Sequence, residues 1–231
     1  MADKLEQERI IDNAAPALNR VFIGFDQRQA ISFTVASLSV ISATETPVTI
    51  SPLVYQTLPL TRKGLTPFTW TRFLVPWLCK YEGWAVFLDA DAFLRGDIND
   101  LFKLADEKYA VMVSDACTGN LAFERAVVML FNCAHPDNQK LTPEFVDTAN
   151  GLHKCGWTEN VGFFPGTWNH LVGYMPPDPN AQLVHFTQGV PCWPETVDSE
   201  HAPEWHDMSK IALSAAPWAS LMGTSVHAKP V

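Results

Sequence analysis

Two aspartates, Asp89 and Asp91, directly follow the apolar run Trp84–Leu88. Residues i and i+2 of an extended chain point to the same side, and their Cα atoms lie roughly 6.5–7 Å apart at a rise of ~3.3 Å per residue. Carboxylates this close repel each other unless a cation or a proton lies between them. Oxygen ligands suit hard cations such as Mg²⁺ or Mn²⁺, and such a cation can bridge an acidic protein to a diphosphate. The pair therefore predicts a metal–diphosphate site, although a strand-end turn with aspartates bonded to the local backbone has the same sequence.

The run before the aspartates is one of several apolar stretches whose length and flanking residues favour strands. These stretches alternate with segments in which apolar residues recur every three or four positions, which is the spacing of a helix face. The alternation predicts an α/β fold, with a mostly parallel sheet flanked by helices. The predicted strands cover residues 21–25, 47–55, 84–88, 109–113, 126–131 and 183–186, and the predicted helices cover residues 28–42, 68–80, 97–104 and 143 to about 151.

Two of the predicted helices have features that specify their packing and their ends. The pair Thr66-Pro67 predicts a helix start, with Thr66 as the N-cap and Pro67 as the first helical residue. Pro76 is expected to kink this helix. The helix over residues 28–42 has one apolar face, which we expect to be buried and which contains Ile31, Val35, Leu38 and Ile41.

Several polar residues follow the predicted strands or lie near their carboxyl ends. In open α/β sheets, ligands bind in the crevice beyond the carboxyl ends of the strands. We therefore expect the side chains at these ends to gather around one site. They are Asp26, Asp89, Asp91, Asn132 and His185.

The composition excludes several classes of protein. The 231 residues are 47% apolar and 18% charged, which rules out disorder of the whole chain because disorder needs low hydrophobicity and high charge. The formal net charge is −9 and no basic stretch interrupts the sequence, so we expect no nucleic-acid partner. No apolar run approaches the ~18 residues of a membrane-spanning helix. The oligomeric state is left open.

The chain ends and the cysteines indicate where the protein resides. The N-terminus mixes charges and lacks the apolar region of a signal peptide. The five cysteines are odd in number and form no CxxC pair, which predicts buried free thiols in a reducing compartment, hence a cytoplasmic protein. Residues 1–19 are predicted to be an N-terminal arm, residues 20–212 a single domain, and residues 213–231 a peripheral tail.

Six segments, taken in order, resemble a GT-A fold glycosyltransferase, in particular glycosyltransferase family 8 and its bacterial relatives. The most specific block is TRFLVPWLCKYEGWAVFLDADAFLRGDINDLF, at residues 71–102. The resemblance implies a Rossmann-like GT-A domain that transfers a sugar from a nucleotide sugar, usually a UDP-sugar, to a saccharide or other acceptor, with retention of anomeric configuration. It also implies Mn²⁺ as the favoured metal, with Mg²⁺ as the alternative. The other segments cover residues 21–30, 128–135, 140–153, 168–173 and 183–189.

The resemblance also implies roles for individual residues. Asp89 and Asp91 would hold the metal, and His185 would be the third protein ligand, since imidazole nitrogen suits Mn²⁺. Asn132 would line the sugar site beside the two aspartates, and these three complete the expected catalytic set. No general base is identified.

The implied donor-binding residues come from both ends of the domain. Asp26 and Arg28 would face the nucleotide, and Arg72 would reach the donor sugar or the diphosphate because guanidinium suits phosphate geometry. In the late motif, the implied phosphate and sugar contacts are Gln188, Gly189 and Trp193. Five other histidines match no motif and are expected to be structural or exposed: His135, His153, His170, His201 and His206.

The sequence departs from the family pattern in two places. The late motif often ends in Lys-Pro-Trp, with the lysine on the phosphate, whereas this chain has Pro191-Cys192-Trp193 and no lysine. The usual Asp-Gln pair of the acceptor region is replaced, at best, by Glu159-Asn160. These departures favour, as an alternative, a non-catalytic nucleotide or carbohydrate binder on a decayed transferase scaffold.

Two further activities fit the same sheet. A nucleotidyltransferase would consume a nucleoside triphosphate and release pyrophosphate. Haloacid-dehalogenase-type phosphatases also place a DxD after an apolar strand, but their motif usually continues with Thr or Val where this chain has Phe93.

Overall fold

A computed structural model describes residues 18–213. The predicted arm and tail lie outside the described residues, apart from Leu18, Asn19 and Leu213 at the limits of the range. Among the described residues, no helix is long and apolar enough to cross a bilayer.

A six-stranded mixed sheet forms the centre of the fold, in the order β2-β1-β3-β6-β5-β7. Five strands run in one direction, and β6 runs against them, because it is antiparallel to both β3 and β5. The other neighbouring pairs are parallel. The predicted mostly parallel α/β sheet is therefore confirmed. The strands are β1 (Asn19–Gly24), β2 (Val48–Leu53), β3 (Trp84–Leu88), β5 (Val111–Ser114), β6 (Val128–Asn132) and β7 (Val161–Phe164).

A smaller sheet of three short strands lies beyond the central one, in the order β4-β9-β8. Its strands are β4 (Ala92–Leu94), β8 (His170–Leu171) and β9 (Leu183–His185). Of these, only β9 has a counterpart among the predicted strands. The α-helices of the described range are α1 (Ala30–Ala43), α2 (Phe68–Thr71), α3 (Val75–Leu78), α4 (Ile98–Phe102), α5 (Pro143–Thr148) and α6 (Ala202–Leu213).

Strand β3 is covered on both faces, as its continuous apolar sequence predicts. Alternate side chains enter opposite layers, because successive residues of a strand point to opposite faces. Phe87 packs in the layer that contains Phe73 and Trp157. Leu88 packs in the layer that contains Val40.

Helix α1 forms where it was predicted, but its predicted apolar face is only partly buried: Val35 is buried, whereas Ile31 and Leu38 are half-buried. Ile41 is 59% exposed. The buried face instead carries small residues, and the Ser39 hydroxyl accepts a 3.0 Å hydrogen bond from the backbone N–H of Leu94 in β4. Small side chains let the helix approach the second sheet closely, which apolar spacing alone does not reveal. The buried residues of α1 are Ser32, Val35, Ala36, Ser39 and Val40.

The helix predicted over residues 68–80 is divided into α2, a 3-10 turn at Arg72–Leu74, and α3. Thr66 is not its capping residue; its hydroxyl lies 3.1 Å from that of Thr69. Pro76 stands in the first turn of α3, where a missing N–H costs nothing. At the break, the Phe68 carbonyl accepts a 3.3 Å hydrogen bond from Nε of Arg72, which helps to fix the arginine side chain.

The cysteines are all free thiols, and four of them are buried as predicted. The prediction is wrong for Cys192, which is exposed in the loop after β9.

The free energy of unfolding is expected to depend on His153. Burial beside Trp70 and Phe73, with ring centroids 4.9 and 5.1 Å away, lowers the pKa of His153 to about 4, and the charge of Arg72 acts in the same direction. The unfolded chain binds a proton near pH 6.5, so between the two values it holds more protons than the native state. Stability should therefore fall as pH falls through 6.5 and level off near pH 4.

After allowance for the partial exposure of His153, this contribution is about 1–2 kcal/mol. Denaturant unfolding between pH 5 and 7 measures it. His153→Gln should flatten the slope, whereas His206→Gln, at a more exposed histidine, should leave it unchanged. An unaltered slope in His153→Gln would contradict the assignment.

Candidate functional site

Asp89 and Asp91 lie in the turn that joins the two sheets. The Asp89 N–H donates to the Val127 carbonyl at 3.0 Å, which continues the pairing of β3 with β6 by one residue. The Ala92 N–H then donates back to the Asp89 carbonyl at 3.1 Å, which closes the turn and starts β4. Both aspartates are thus placed at the carboxyl end of β3, as the sequence predicts.

His185 is brought to the aspartates by the second sheet. Strand β9 runs antiparallel to β4, with Ala92 opposite His185, and the Phe186 N–H donates to the Asp91 carbonyl at 3.1 Å. Nε2 of His185 therefore lies 3.1 Å from Oδ1 of Asp91. One ligand atom from each of Asp89, Asp91 and His185 lies within 4.8 Å of the others, so the three form a group that could hold a metal ion. We call this the aspartate group.

Arg72 is also brought to this place, where its guanidinium holds Asp89. Nη2 lies 2.9 Å from Oδ1 of Asp89, and Nη1 donates to Oδ2 at 3.3 Å and to the Ala126 carbonyl at 2.6 Å. Arg72 is only 6% exposed. Its position therefore indicates that it orients and neutralises an aspartate, rather than that it extends to a phosphate.

The prediction that Asn132 lies in this site is wrong. Because β6 is reversed, Asn132 lies opposite Trp84, at the start of β3, while Val128 lies opposite Leu88, at its end. Four residues of strand separate Asn132 from the aspartate end, which is about 13 Å. Its amide donates to the Glu107 carbonyl instead.

The reversal of β6 places a different residue in the site. Glu124 precedes β6, and its Oε2 lies 3.8 Å from Nδ1 of His185. Its side chain is 16% exposed. No motif in the sequence marks Glu124, because its position follows only from the direction of β6.

The charges of the site are strongly coupled. Burial raises the pKa of Asp89 to about 7 against the opposing charge of Arg72, and the charge of Asp91 adds to the rise. Burial would lower the pKa of His185, but the charge and hydrogen bond of Asp91, together with the charges of Asp89 and Glu124, raise the pKa to about 8. Burial also raises the pKa of Glu124. Three carboxylates share one arginine and one histidine, so the site favours an additional cation.

Asp26 and Arg28 are placed at the end of β1. Asp26 caps the turn at Gln27–Gln29 by accepting from the Arg28 N–H at 2.9 Å. Nη2 of Arg28 lies 2.6 Å from Oδ2 of Asp26, and the hydrogen bond from this side chain lowers the pKa of Asp26. The Arg28 side chain is 65% exposed.

Arg28 borders a cleft of about 220 Å³ whose other walls include Tyr55, Lys63 and Pro67. Two cationic side chains and an aromatic ring are thus brought together on one surface. Pro67 leads directly into α2, which carries the Phe68 carbonyl that holds Arg72. The sequence did not mark Tyr55, the last residue of a predicted strand, or Lys63, which lies between predicted elements.

The residues of the late motif are separated by the turn that follows β9. Gly189 adopts a φ of +109° that disfavours any side chain, and Trp193, 47% exposed, lies over it. Gln188 lies against Gly173 and lines a cleft to which no member of the aspartate group contributes.

The substitute acceptor pair Glu159-Asn160 is not brought to the site. It precedes β7, whose parallel register with β5 puts it at the opposite end of the sheet. The Asn160 amide donates to Asp137 there.

Sequence comparison gives a relative for the whole fold. Protein CDI of Arabidopsis thaliana is 33% identical over 219 aligned residues, which cover 80% of this chain and 84% of that protein. The chain belongs to the family of Protein CDI. No family model matches the sequence, so the CDI-family chain is not assigned to glycosyltransferase family 8.

Structural comparison relates the fold of this CDI-family member to GT-A glycosyltransferases. The galactosyltransferase LgtC, solved with donor and acceptor sugar analogues, superposes with a TM-score of 0.63 and 14% identity, covering 87% of this chain and 98% of LgtC. GlyE of Streptococcus pneumoniae TIGR4 gives 0.65 and 15%, covering 88% and 63%. The bifunctional glycosyltransferase WbbM gives 0.64 and 14%, covering 89% of this chain but only 51% of WbbM. The predicted GT-A fold is confirmed.

Proposed function

We propose that the chain is a metal-dependent glycosyltransferase that moves a sugar from a nucleotide-diphosphate donor, a UDP-sugar, to an acceptor with retention of configuration. The observation that supports it best is the convergence of Asp89, Asp91 and His185 at the carboxyl end of β3. The GT-A fold and the cleft beside Arg28 agree with it.

The residues of the aspartate group fit a divalent cation. Oδ1 of Asp89 and Oδ1 of Asp91 are buried, and each faces one charged group, Nη2 of Arg72 at 2.9 Å and Nε2 of His185 at 3.1 Å respectively. Two carboxylates and one imidazole form a donor set that suits Mn²⁺, with Mg²⁺ as the alternative. A cation bound there supplies Lewis-acid stabilisation of the departing diphosphate. Arg72 orients Asp89 and its charge favours the ionised carboxylate, and the negative charge of Glu124 supports His185.

The cleft beside Arg28 is proposed to receive the donor nucleotide. Arg28 and Lys63 offer cationic groups to phosphate oxygens, and the ring of Tyr55 offers a face to a base. In the family that the sequence resembles, a lysine of the late motif provides positive charge at the phosphate. This chain lacks that lysine, and Arg28 and Lys63 would supply the charge instead. Asp26 would orient Arg28 through their ion pair.

Thermal unfolding with UDP, GDP or ADP, each with and without Mn²⁺, tests the donor and the metal together. A ligand at 100 times its Kd adds about 2.7 kcal/mol, which is roughly 5–10 °C for a chain of this size. We expect a shift that needs both UDP and Mn²⁺ and that is absent in Asp91→Ala. No shift with any nucleotide would contradict the proposal.

Turnover separates the proposed activity from its alternatives. The chain should release UDP from a UDP-sugar in the presence of acceptor mixtures. Donor binding without UDP release would identify a decayed, non-catalytic binder. Release of pyrophosphate from a nucleoside triphosphate would identify a nucleotidyltransferase.

Glu124→Gln should raise the Kd for Mn²⁺ about 10-fold. The carboxylate faces the metal-distal nitrogen of a proposed ligand, His185, and loss of such a partner typically costs 10–100-fold in metal affinity. Isothermal titration with Mn²⁺ measures the change. Glu107→Gln is the control, because its side chain is exposed and lies at the other end of the sheet, where its carbonyl accepts from Asn132. Equal affinity in wild type and Glu124→Gln would contradict the role of Glu124.

A further inference from the structure

A second cluster of ligating side chains lies outside the aspartate group. It consists of His170, Glu200 and His201, whose ligand atoms all lie within 4.8 Å of one another. His170 is the first residue of β8, and Glu200 and His201 directly precede α6. The two imidazole side chains are only 4% and 8% exposed. We propose that these three residues form a zinc site.

The distances in the cluster match those of a tetrahedral metal site. Nε2 of His170 lies 2.8 Å from Oε2 of Glu200, and Nε2 of His201 lies 3.1 Å from Oε1 of the same carboxylate. Nitrogen and oxygen ligands at about 2.0–2.2 Å from one zinc ion lie roughly 3.3 Å apart. Small movements of the side chains therefore suffice to enclose the ion.

The two ring nitrogens of His201 face different carboxylates, Nδ1 that of Glu204 and Nε2 that of Glu200. Nδ1 lies 3.0 Å from Oε1 of Glu204, the acceptor to which it donates. A neutral imidazole that donates from Nδ1 presents a lone pair at Nε2. This lone pair faces the Glu200 carboxylate, and Nε2 is buried without a hydrogen bond among the described residues. Two facing acceptors repel each other unless a proton or a cation lies between them, and a bound zinc ion would satisfy both.

The groups around the cluster already orient its ligands. Glu204 is held by Nε of Arg95 at 2.8 Å, so a carboxylate–histidine pair of the type that supports zinc ligands is in place. Oε1 of Glu200 accepts from the Asp178 N–H at 2.9 Å. Both carboxylates of the cluster's surroundings are thus fixed by groups outside it, Glu200 by the Asp178 N–H and Glu204 by Arg95.

Two imidazoles and one carboxylate favour zinc over the harder cations that suit the aspartate group. Metal binding requires His170 to carry its proton on Nδ1, which frees Nε2 as a ligand. The fourth position is supplied by water from an adjoining cleft of about 490 Å³, which Gln188, Ser199 and Glu200 help to line. The bound ion joins β8 to α6 and so stabilises the native state over the unfolded chain.

Equilibrium dialysis of the full chain against Zn²⁺ tests the site in an Asp91→Ala background, which removes the aspartate group as a competitor. Asp91→Ala alone, and Asp91→Ala with His206→Gln, should each retain one equivalent of Zn²⁺. Asp91→Ala with His201→Gln, or with the near-isosteric Glu200→Gln, should retain none. Zinc retained by both of these double variants, or lost from Asp91→Ala itself, would overturn the proposal.

Glu204→Gln keeps the test decisive if a ligand variant fails to fold. Glu204 touches the site only through His201, and its side chain is 43% exposed, so we expect the variant to fold. The Kd for Zn²⁺ should rise 10- to 100-fold. The stabilisation that Zn²⁺ gives in thermal unfolding should weaken accordingly. An unchanged Kd would assign the cluster to structural ion pairs alone.

Discussion

Asp91→Ala is expected to lower kcat/KM for sugar transfer by about 10³-fold or more, with the fold intact. A bound divalent cation contributes several kcal/mol to stabilising charge in the transition state, and every 1.36 kcal/mol corresponds to a factor of ten in rate. Asp91 is the better of the two aspartates for this test, because its side chain is 32% exposed and no arginine depends on it. UDP release from a UDP-sugar in the presence of Mn²⁺ measures the loss.

The control for this variant is Asp106→Ala, which removes an exposed carboxylate paired only with Lys108. It should retain full activity. Circular dichroism should show the same helix and strand content in both variants. Undiminished transfer by a well-folded Asp91→Ala protein would contradict the metal role of the aspartate group.

Arg72→Ala is expected to lower the free energy of unfolding by about 3–5 kcal/mol, the usual cost of leaving a buried charge without its partner. The variant strips Asp89 of its ion pair and leaves the Ala126 carbonyl without its donor. For a chain of this length, the loss corresponds to a fall in Tm of roughly 6–20 °C. Lys103→Ala, at an exposed ion pair with Asp100, should lower the free energy of unfolding far less.

A double-mutant cycle isolates the ion pair from the packing of the arginine. Asp89→Asn removes the negative charge, so Arg72→Ala should cost 0.5–3 kcal/mol less in that background. Denaturant unfolding of the four proteins gives the coupling energy. Strict additivity would show that Arg72 stabilises the fold through its contacts with the Phe68 and Phe87 rings and the backbone rather than through Asp89.

The sequence alone predicted the positions of the central strands and of the site residues at the carboxyl end of β3. Strand β3 occupies the residues predicted for it, because an apolar run of five residues flanked by Gly83 and Asp89 is too short for a typical helix and fits a buried strand. The same reasoning predicted the positions of Asp89, Asp91 and His185, since each lies at or just beyond the end of an apolar strand.

The same reasoning could not predict the direction of strand β6. Residues 128–132 read as a buried strand in either orientation, because burial on both faces does not depend on direction. The antiparallel pairing with β3 exchanges the two ends of β6 relative to the site. Asn132 was therefore predicted in the site and is absent from it, whereas Glu124 lies there without having been predicted.

The irregular segments escaped prediction for a different reason. Tyr55 and Lys63 come together only through the path of the loop between β2 and α2, and loop paths leave no periodic signal. His170 and His201 are separated by 30 residues of mostly irregular chain, so their convergence with Glu200 is visible only in three dimensions.

The aspartate group draws its members from both sheets, with Asp89 at the end of the central one and His185 on the small one. Any ion held there is therefore a cross-link between two independently hydrogen-bonded layers. Ion binding and docking of the layers are thermodynamically linked. The free energy by which a bound ion stabilises docking equals the free energy by which correct docking strengthens ion binding. Contacts remote from the ligands, such as the Ser39 hydroxyl on Leu94, then belong to the same energetic unit as the site. The affinity for a metal ion at this site would therefore report how well the two sheets are docked.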